Sequence, residues 1–297
     1  MPDLPFVDRK RMTNLGEATA IKLRGYGRPV ITDREIIGAL FDVYGDGKVR
    51  YLRGEAPSYA TFTRTRTLLK AEKIIDRDAD YGRLWRVNTI PDAAADDITC
   101  LVDPTIYVSH LSAMQWLGLT NRRPTELHLT RSNENVWNEI KNHTLAADHY
   151  FEEFHLRLLR IHHPNSVRGR PLHVYTTKHF GKSILIRKSF VRVSSPGQTF
   201  CDMLVTPELC GGMPHVLDVF DSRANDYVQD IIETVDSWEI PILKVRAGYI
   251  LDERLGVHDP RISRWVNFAQ RGGSRVLDPQ KPFAPTYSEK WMLSLNV

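Results

Sequence analysis

Tyr59, Thr63, Arg66, Lys70 and Lys73 recur at i+4 and i+3 steps, so a helix beginning after Ser58 gathers three cations and no acid on one stripe. Ser58 follows Pro57 and is a good N-cap, while Phe62, Thr65, Leu68 and Leu69 fall on the opposite side, where they can be buried. Such a helix can place side chains on base edges and phosphates, provided that other elements hold it against a groove. Downstream, Ile74 to Arg77 and Arg83 to Val87 alternate like two strands around Asp80-Tyr81-Gly82, with Arg77, Arg83 and Arg86 placed to meet phosphates. A Lys/Arg stripe taken alone is more often a solvated helix face.

The order of the elements favours recognition. Asn14 to Gly25 has the pattern of a first helix. Thr32 caps a second from Asp33 to Tyr44, with Glu35 at the capping-box position and Ile36, Ile37, Leu40 and Phe41 at core spacing. Helix, helix, turn, helix and hairpin together make a winged helix-turn-helix. Its expected DNA-binding residues are Ser58, Tyr59, Thr63, Arg64, Arg66, Lys70, Lys73, Arg77 and Arg83, with Thr63 and Arg66 as candidates for base edges and the lysines, Arg77 and Arg83 for phosphates. Charge agrees: residues 1–90 hold 17 of the chain's 40 Lys/Arg and 12 of its 36 Asp/Glu, a net of +5, and the remainder nets −1. A surplus of that kind favours a polyanion through counterion release. A single winged helix covers about 600–1,000 Å² of surface, so selective binding at cell salt calls for a homodimer or a cooperative pair on two half-sites of double-stranded DNA.

With 297 residues, two domains are expected, and 42% hydrophobic with 26% charged residues is an ordinary globular composition. The fold class read from the pattern is α+β: a winged helix-turn-helix over 1–90, a linker or opening strand over 91–104, and a larger mixed α/β domain over 105–297. The boundary lies in residues 88–104, where two prolines and four acids interrupt any regular period. Beyond it the pattern suggests helices at Ser109 to Gly118 and Asn135 to about Phe154, and strands at Glu126 to Thr130, Leu156 to His162, Leu172 to Thr177 and Ile184 to Val193. Four helical stretches follow, at Gln198 to Val205, Met213 to Ser222, Tyr227 to Trp238 and Leu243 to Leu255. Strands at Ser274 to Leu277 and Lys290 to Asn296 close the pattern.

Catalytic chemistry is thin. The phosphate-loop, zinc-protease, serine-hydrolase and paired-cysteine signatures are all absent, so no catalytic residue, metal ligand or cofactor is assigned and the chain is not read as an enzyme. His162-His163 invites a metal, but neighbours on a strand point to opposite faces. Asp148, His149, Glu152 and Glu153 have helical spacing without the second copy that a di-metal bundle uses. Cys201 reads as a packed thiol, and the three cysteines are too few and scattered for a disulfide framework. No 18-residue apolar run or secretory h-region is present, so a cytoplasmic protein with no membrane association is expected.

Tyr107 to Thr130, with Ser112-Ala113 and Gly118-Leu119, together with Val191 to Phe220, with Ser195-Pro196, Thr199, Asp202, Leu204, Pro207 and Gly211-Gly212, resembles the AbiEi-like antitoxins of type IV toxin–antitoxin (abortive infection) systems. Leu277-Asp278-Pro279 and Ser288 to Asn296 resemble that group's closing strands. Where many relatives carry a Glu-Arg pair before the helix Thr, this chain has Gly197-Gln198, so the ion pair such an Arg would make is missing. The resemblance implies a repressor that acts on its own promoter at inverted repeats and counteracts a nucleotidyltransferase-like toxin without a stable complex. Three alternatives stay open: a stand-alone phage-defence transcriptional regulator, a metal-dependent nucleic-acid enzyme using carboxylates such as Asp202 and Asp218, and a winged helix that binds protein.

Overall fold

A computed structural model describes residues 13–49, 52, 54–147, 153–270 and 275–297. In chain order its helices are α1 (Asn14–Gly25), α2 (Asp33–Asp46), α3 (Tyr59–Ala71), α4 (Ala95–Val102), α5 (His110–Trp116), α6 (Glu134–Ala147), α7 (Pro196–Val205), α8 (Met213–Arg223), α9 (Val228–Ser237), α10 (Pro241–Gly248) and α11 (Pro260–Trp265). The strands are β1 (Val30–Ile31), β2 (Ile75–Arg77), β3 (Trp85–Val87), β4 (Ile106–Val108), β5 (Leu127–Ser132), β6 (Ser166–Val167), β7 (Arg170–Thr177), β8 (Ser183–Leu185), β9 (Arg192–Ser194), β10 (Tyr287–Ser288) and β11 (Leu293–Ser294). The chain is thus a mixture of α and β structure. It divides into two compact units, Met1–Pro104 with Glu134–Gly169, and Thr105–Asn133 with Arg170–Val297.

In the first unit the caps read from the sequence form. The Thr13 hydroxyl accepts from Gly16 at the start of α1, and α2 begins with a complete Thr32–Glu35 capping box. The Ser58 hydroxyl accepts the Thr61 N–H at 3.2 Å, satisfying one of the free donors at the start of α3. A three-stranded antiparallel sheet in the order β1-β3-β2 stands beside these helices, with Val30 opposite Arg86 and Ile75 opposite Val87. Leu23, Ile36, Ile37, Leu40, Phe62, Leu69, Ile75, Trp85 and Val87 are buried in one core. Phe154 closes it, meeting Phe41 and Phe62 edge-on at 5.8 and 6.2 Å.

Two expectations differ from the structure in this unit. Residues 88–104, read as a linker or opening strand, contain α4, whose Ala95, Ile98, Cys100 and Leu101 are buried. The acids that obscured its pattern have structural places, Asp96 and Asp97 in its first turn and Asp103 buried beyond its end. Glu134–Gly169, read as part of the second domain, belongs to the first unit, and Leu156 to His162 is not a strand.

In the second unit five strands lie in one mixed sheet in the order β7-β5-β4-β9-β8. β7 runs parallel to β5 and β9 parallel to β4, while β5 is antiparallel to β4 and β8 to β9. Ile184 to Val193, expected as one strand, is a hairpin, because Lys188 turns the chain with φ near 61°. The helices α7 to α11 bury Phe200, Phe220, Ile231, Ile232, Leu243, Ile250, Trp265 and Trp291 in a second core. Leu243 to Leu255 begins as α10 and changes at Tyr249 to a π-helical turn through Arg254. Val276 bridges to Ser294 near β10 and β11, and Ser274 lies outside the described residues. No helix among the described residues is long and apolar enough to cross a membrane.

Candidate nucleic-acid interface

The helix α3 buries Phe62, Thr65 and Leu69 and turns Ala60, Arg64, Thr67, Lys70 and Ala71 outward. Its exposed face is therefore about one residue, or 100°, away from the stripe chosen for its charges. A shallow groove of about 710 Å³ follows this face from Tyr59 past Ala60, Arg64 and Thr67 to Ala71. Small side chains here allow an apposed surface to approach the helix closely, and Arg64 rises between them. Tyr59 is half exposed at 51%, with its ring against Phe62 and His155 at 6.1 and 5.8 Å.

Arg66 faces elsewhere. Its Nη1 donates to Asp33 Oδ2 at 2.8 Å, and its guanidinium lies 4.7 Å from the centre of the Phe62 ring. The other oxygen of the same carboxylate accepts from Trp85 Nε1 at 2.7 Å, so Asp33 joins α2, α3 and β3. Arg66 thus serves the packing of the unit, and Thr63 is half buried beside it, its hydroxyl without a hydrogen-bond partner among the described residues. Lys73 lies beyond the end of α3 with φ near 57°, and its ammonium meets Asp76 at 3.4 Å.

The hairpin of β2 and β3 keeps only part of the expected row of cations. Arg77 sits 3.7 Å above the Trp85 ring and donates to the Arg83 carbonyl at 2.8 Å, leaving Arg83 exposed at the turn. Arg86 is structural, donating to the Pro29, Val87 and Ile90 carbonyls. The connection between the strands is anchored within its own unit. Tyr81 and His163 are hydrogen-bonded at 2.8 Å, and His163 Nε2 meets Asp103 at 3.1 Å, an arrangement satisfied when Tyr81 donates to Nδ1 and Nε2–H donates to the carboxylate. Burial works to raise the Asp78 pKa, but the Arg168 guanidinium at 2.7 Å and backbone donors from Asp80 and Tyr81 outweigh it and hold the carboxylate below its ordinary range. His163 is thereby a buried structural histidine, and His162 is exposed.

The remaining candidates for chemistry do not assemble into a centre. Asp148, His149 and Glu152 lie outside the described residues, and among the described residues no group of three or more His, Cys, Asp or Glu is arranged to hold a metal. All three cysteines are buried and none is in a disulfide; burial pushes the thiols of Cys201 and Cys210 well up, with the Asp202 charge adding to it. Asp218 is exposed on α8, whereas Asp202 is buried in α7, where burial pushes its pKa up to about 7. Gln198 donates to Asp202 Oδ1 at 2.7 Å, and among the described residues Oδ2 has no hydrogen-bond partner. Gly197 is equally constrained, since a Cβ there would sit 2.3 Å from the Asp230 carbonyl oxygen.

One group was not anticipated. On β5 and β7, His128 and His173 are cross-strand partners, and Tyr175 stacks on both with interplanar angles of 12° and 10°. His110, with a strained φ near 51°, approaches the Tyr175 ring at 4.7 Å. Burial, then the neighbouring His128 and His173, push the His110 pKa down to about 3, so it is neutral at pH 7. The only trace in the sequence was the alternation of His173 and Tyr175; their pairing with His128 is long-range.

No protein-family model matches the chain, and no curated protein matches it. Among solved structures, the RV2827C protein from Mycobacterium tuberculosis is similar over 97% of this chain and 92% of its own, with 12% identity and a TM-score of 0.47.

Proposed function

We propose that the first unit is a winged helix-turn-helix that binds double-stranded promoter DNA and that the chain is a transcriptional repressor. The observation that carries this reading is the order α1, β1, α2, α3, β2, β3, with the exposed Ala60–Arg64–Thr67–Ala71 face on the third helix. Arg64 is the base-edge residue in this reading, because a guanidinium can take guanine O6 and N7 together, while the Ala60 and Thr67 methyls suit the thymine methyl. Tyr59, Lys70 and Arg83 hold phosphates and set the register, with a second copy on the other half-site. In the same proposal the repressor controls its own operon and is the antitoxin to a nucleotidyltransferase-like toxin; this part rests on the resemblance of Tyr107 to Thr130 and Val191 to Phe220.

The test is binding to a labelled fragment of the chain's own upstream region against random DNA of equal length. Selective binding that Arg64→Ala weakens supports the repressor, and equal affinity of the parent for both fragments refutes it. Co-expression with a nucleotidyltransferase-like gene adjacent to this one tests the antitoxin part: rescue of growth supports it, and persistent toxicity refutes it.

A further inference from the structure

We propose that the second unit carries its own binding surface for single-stranded nucleic acid, formed by the sheet's basic connection and hairpin together with the rings on β7 and β5. Residues 170–201 contain six Lys/Arg and no Asp/Glu, whereas residues 202–297 contain 14 Asp/Glu against 10 Lys/Arg. The topology concentrates that charge. The connection from β7 to β8 carries Lys178 and Lys182, and the turn between β8 and β9 carries Arg187 and Lys188, all four exposed. Lys182 pairs with Glu233, but the two side chains are 77% and 66% exposed and therefore loosely held. The strand β8 is the last in the sheet order, and Ile184 and Leu185 on it are exposed at 41% and 66%.

Rings lie at the other edge of the sheet, on β7 and β5, and the connection that carries Lys178, His179 and Lys182 runs from that edge to β8. His173 is exposed and stacks on Tyr175 at 4.3 Å, the Tyr175 hydroxyl and His128 Nδ1 are hydrogen-bonded at 3.1 Å, and His179 stacks on Trp238 at 5.2 Å. The lowered His128 pKa, due to burial and the nearby His173, leaves its imidazole uncharged at neutral pH, so the stack offers ring faces more than charge. Basic groups track a phosphate backbone, and exposed ring faces stack on bases. A duplex hides its base faces within its own stack, so exposed rings joined to cations along this connection fit unpaired nucleotides. This surface is independent of α3, and its ligand class does not rest on the repressor reading.

The experiment is fluorescence anisotropy of a fluorescein-labelled 12-nucleotide oligo(U) with the full chain across a sodium chloride series. With four exposed cations engaged, log K should fall with log salt at a slope of about −3. The double variant Arg187→Glu/Lys188→Glu should weaken binding at least tenfold, as should Tyr175→Leu; Tyr175→Phe, which keeps the ring, should bind as the parent does. Arg64→Ala on α3 should leave this affinity unchanged, which separates the proposal from promoter binding. Far-UV circular dichroism and the melting temperature report whether each variant is folded, and His173→Ala, at an exposed position, repeats the ring test if Tyr175→Leu is not. Failure of the parent to bind, insensitivity to both the charge and the ring variants, or equal affinity for a 12-base-pair duplex would overturn the proposal.

Discussion

Replacing Asp202 by Asn tests the buried polar pair of α7. Asp202 is 8% exposed; Gln198 donates to one of its oxygens, and among the described residues the other has no hydrogen-bond partner. Its pKa of about 7 lies above the ordinary 3.8, so the folded chain keeps a proton that the unfolded chain releases. The consequence for stability follows in sign: folding is unaffected below about pH 4, weakens as the pH rises towards about 7, and levels off above it. A displacement of roughly three units, at about 1.4 kcal/mol each, makes the loss about 4 kcal/mol at pH 8. Asn keeps the shape and an acceptor for Gln198 while removing the ionisation. Asp202→Asn should therefore match the parent at pH 4 and exceed it at pH 8 by about 4 kcal/mol, or ~8–16 °C in melting temperature for a unit of this size. Thermal and urea unfolding at both pH values provide the assay. The same difference between variant and parent at pH 4 and pH 8, or a variant less stable at pH 8, would refute the reasoning.

Other substitutions separate packing from recognition. Arg66→Ala should cost about 1–2 kcal/mol in urea unfolding through loss of the Asp33 hydrogen bond and the Phe62 contact, and leave operator preference intact. Tyr81→Phe should cost about 1 kcal/mol by leaving His163 Nδ1 without its donor, again read by unfolding. Gly197→Ala should destabilise by about 1–3 kcal/mol, because its methyl would meet the Asp230 backbone at 2.3 Å and force α7 and α9 apart. A thiol reagent should label none of Cys100, Cys201 and Cys210 in the folded chain and all three in denaturant, since each is buried.

What could be read from the sequence was local. Thr32 with Glu35 and Ser58 with Thr61 are short-range hydrogen bonds that the residue types announce, and α1 runs from Asn14 to Gly25 as its pattern predicts. Helical periodicity also located α7, α8 and α9 within two residues at each end. What escaped depends on distant partners. The burial of α4 was masked because Asp96, Asp97 and Asp103 read as breaks in its pattern, although His163, 60 residues away, accounts for Asp103. Phe154 joins the first core by meeting Phe41 and Phe62, which no local pattern records. The charge stripe of α3 misplaced Arg66 for a related reason: helical spacing groups residues on a face, but only the position of Asp33 and Trp85 decides which face is inside. The ring stack of His128, His173 and Tyr175 needs the register of β5 on β7, which sequence spacing does not supply.

The most direct test of the repressor reading is the ratio of affinities of the full chain for its own upstream promoter and for random DNA, measured for the parent, Arg64→Ala and Lys70→Ala across a salt series. A parent preference that Arg64→Ala reduces by about 1–3 kcal/mol, with Lys70→Ala weakening both DNAs equally and lowering the salt slope by about one, is the predicted result. No preference in the parent, or a preference that survives Arg64→Ala unchanged, would contradict recognition through the exposed face of α3.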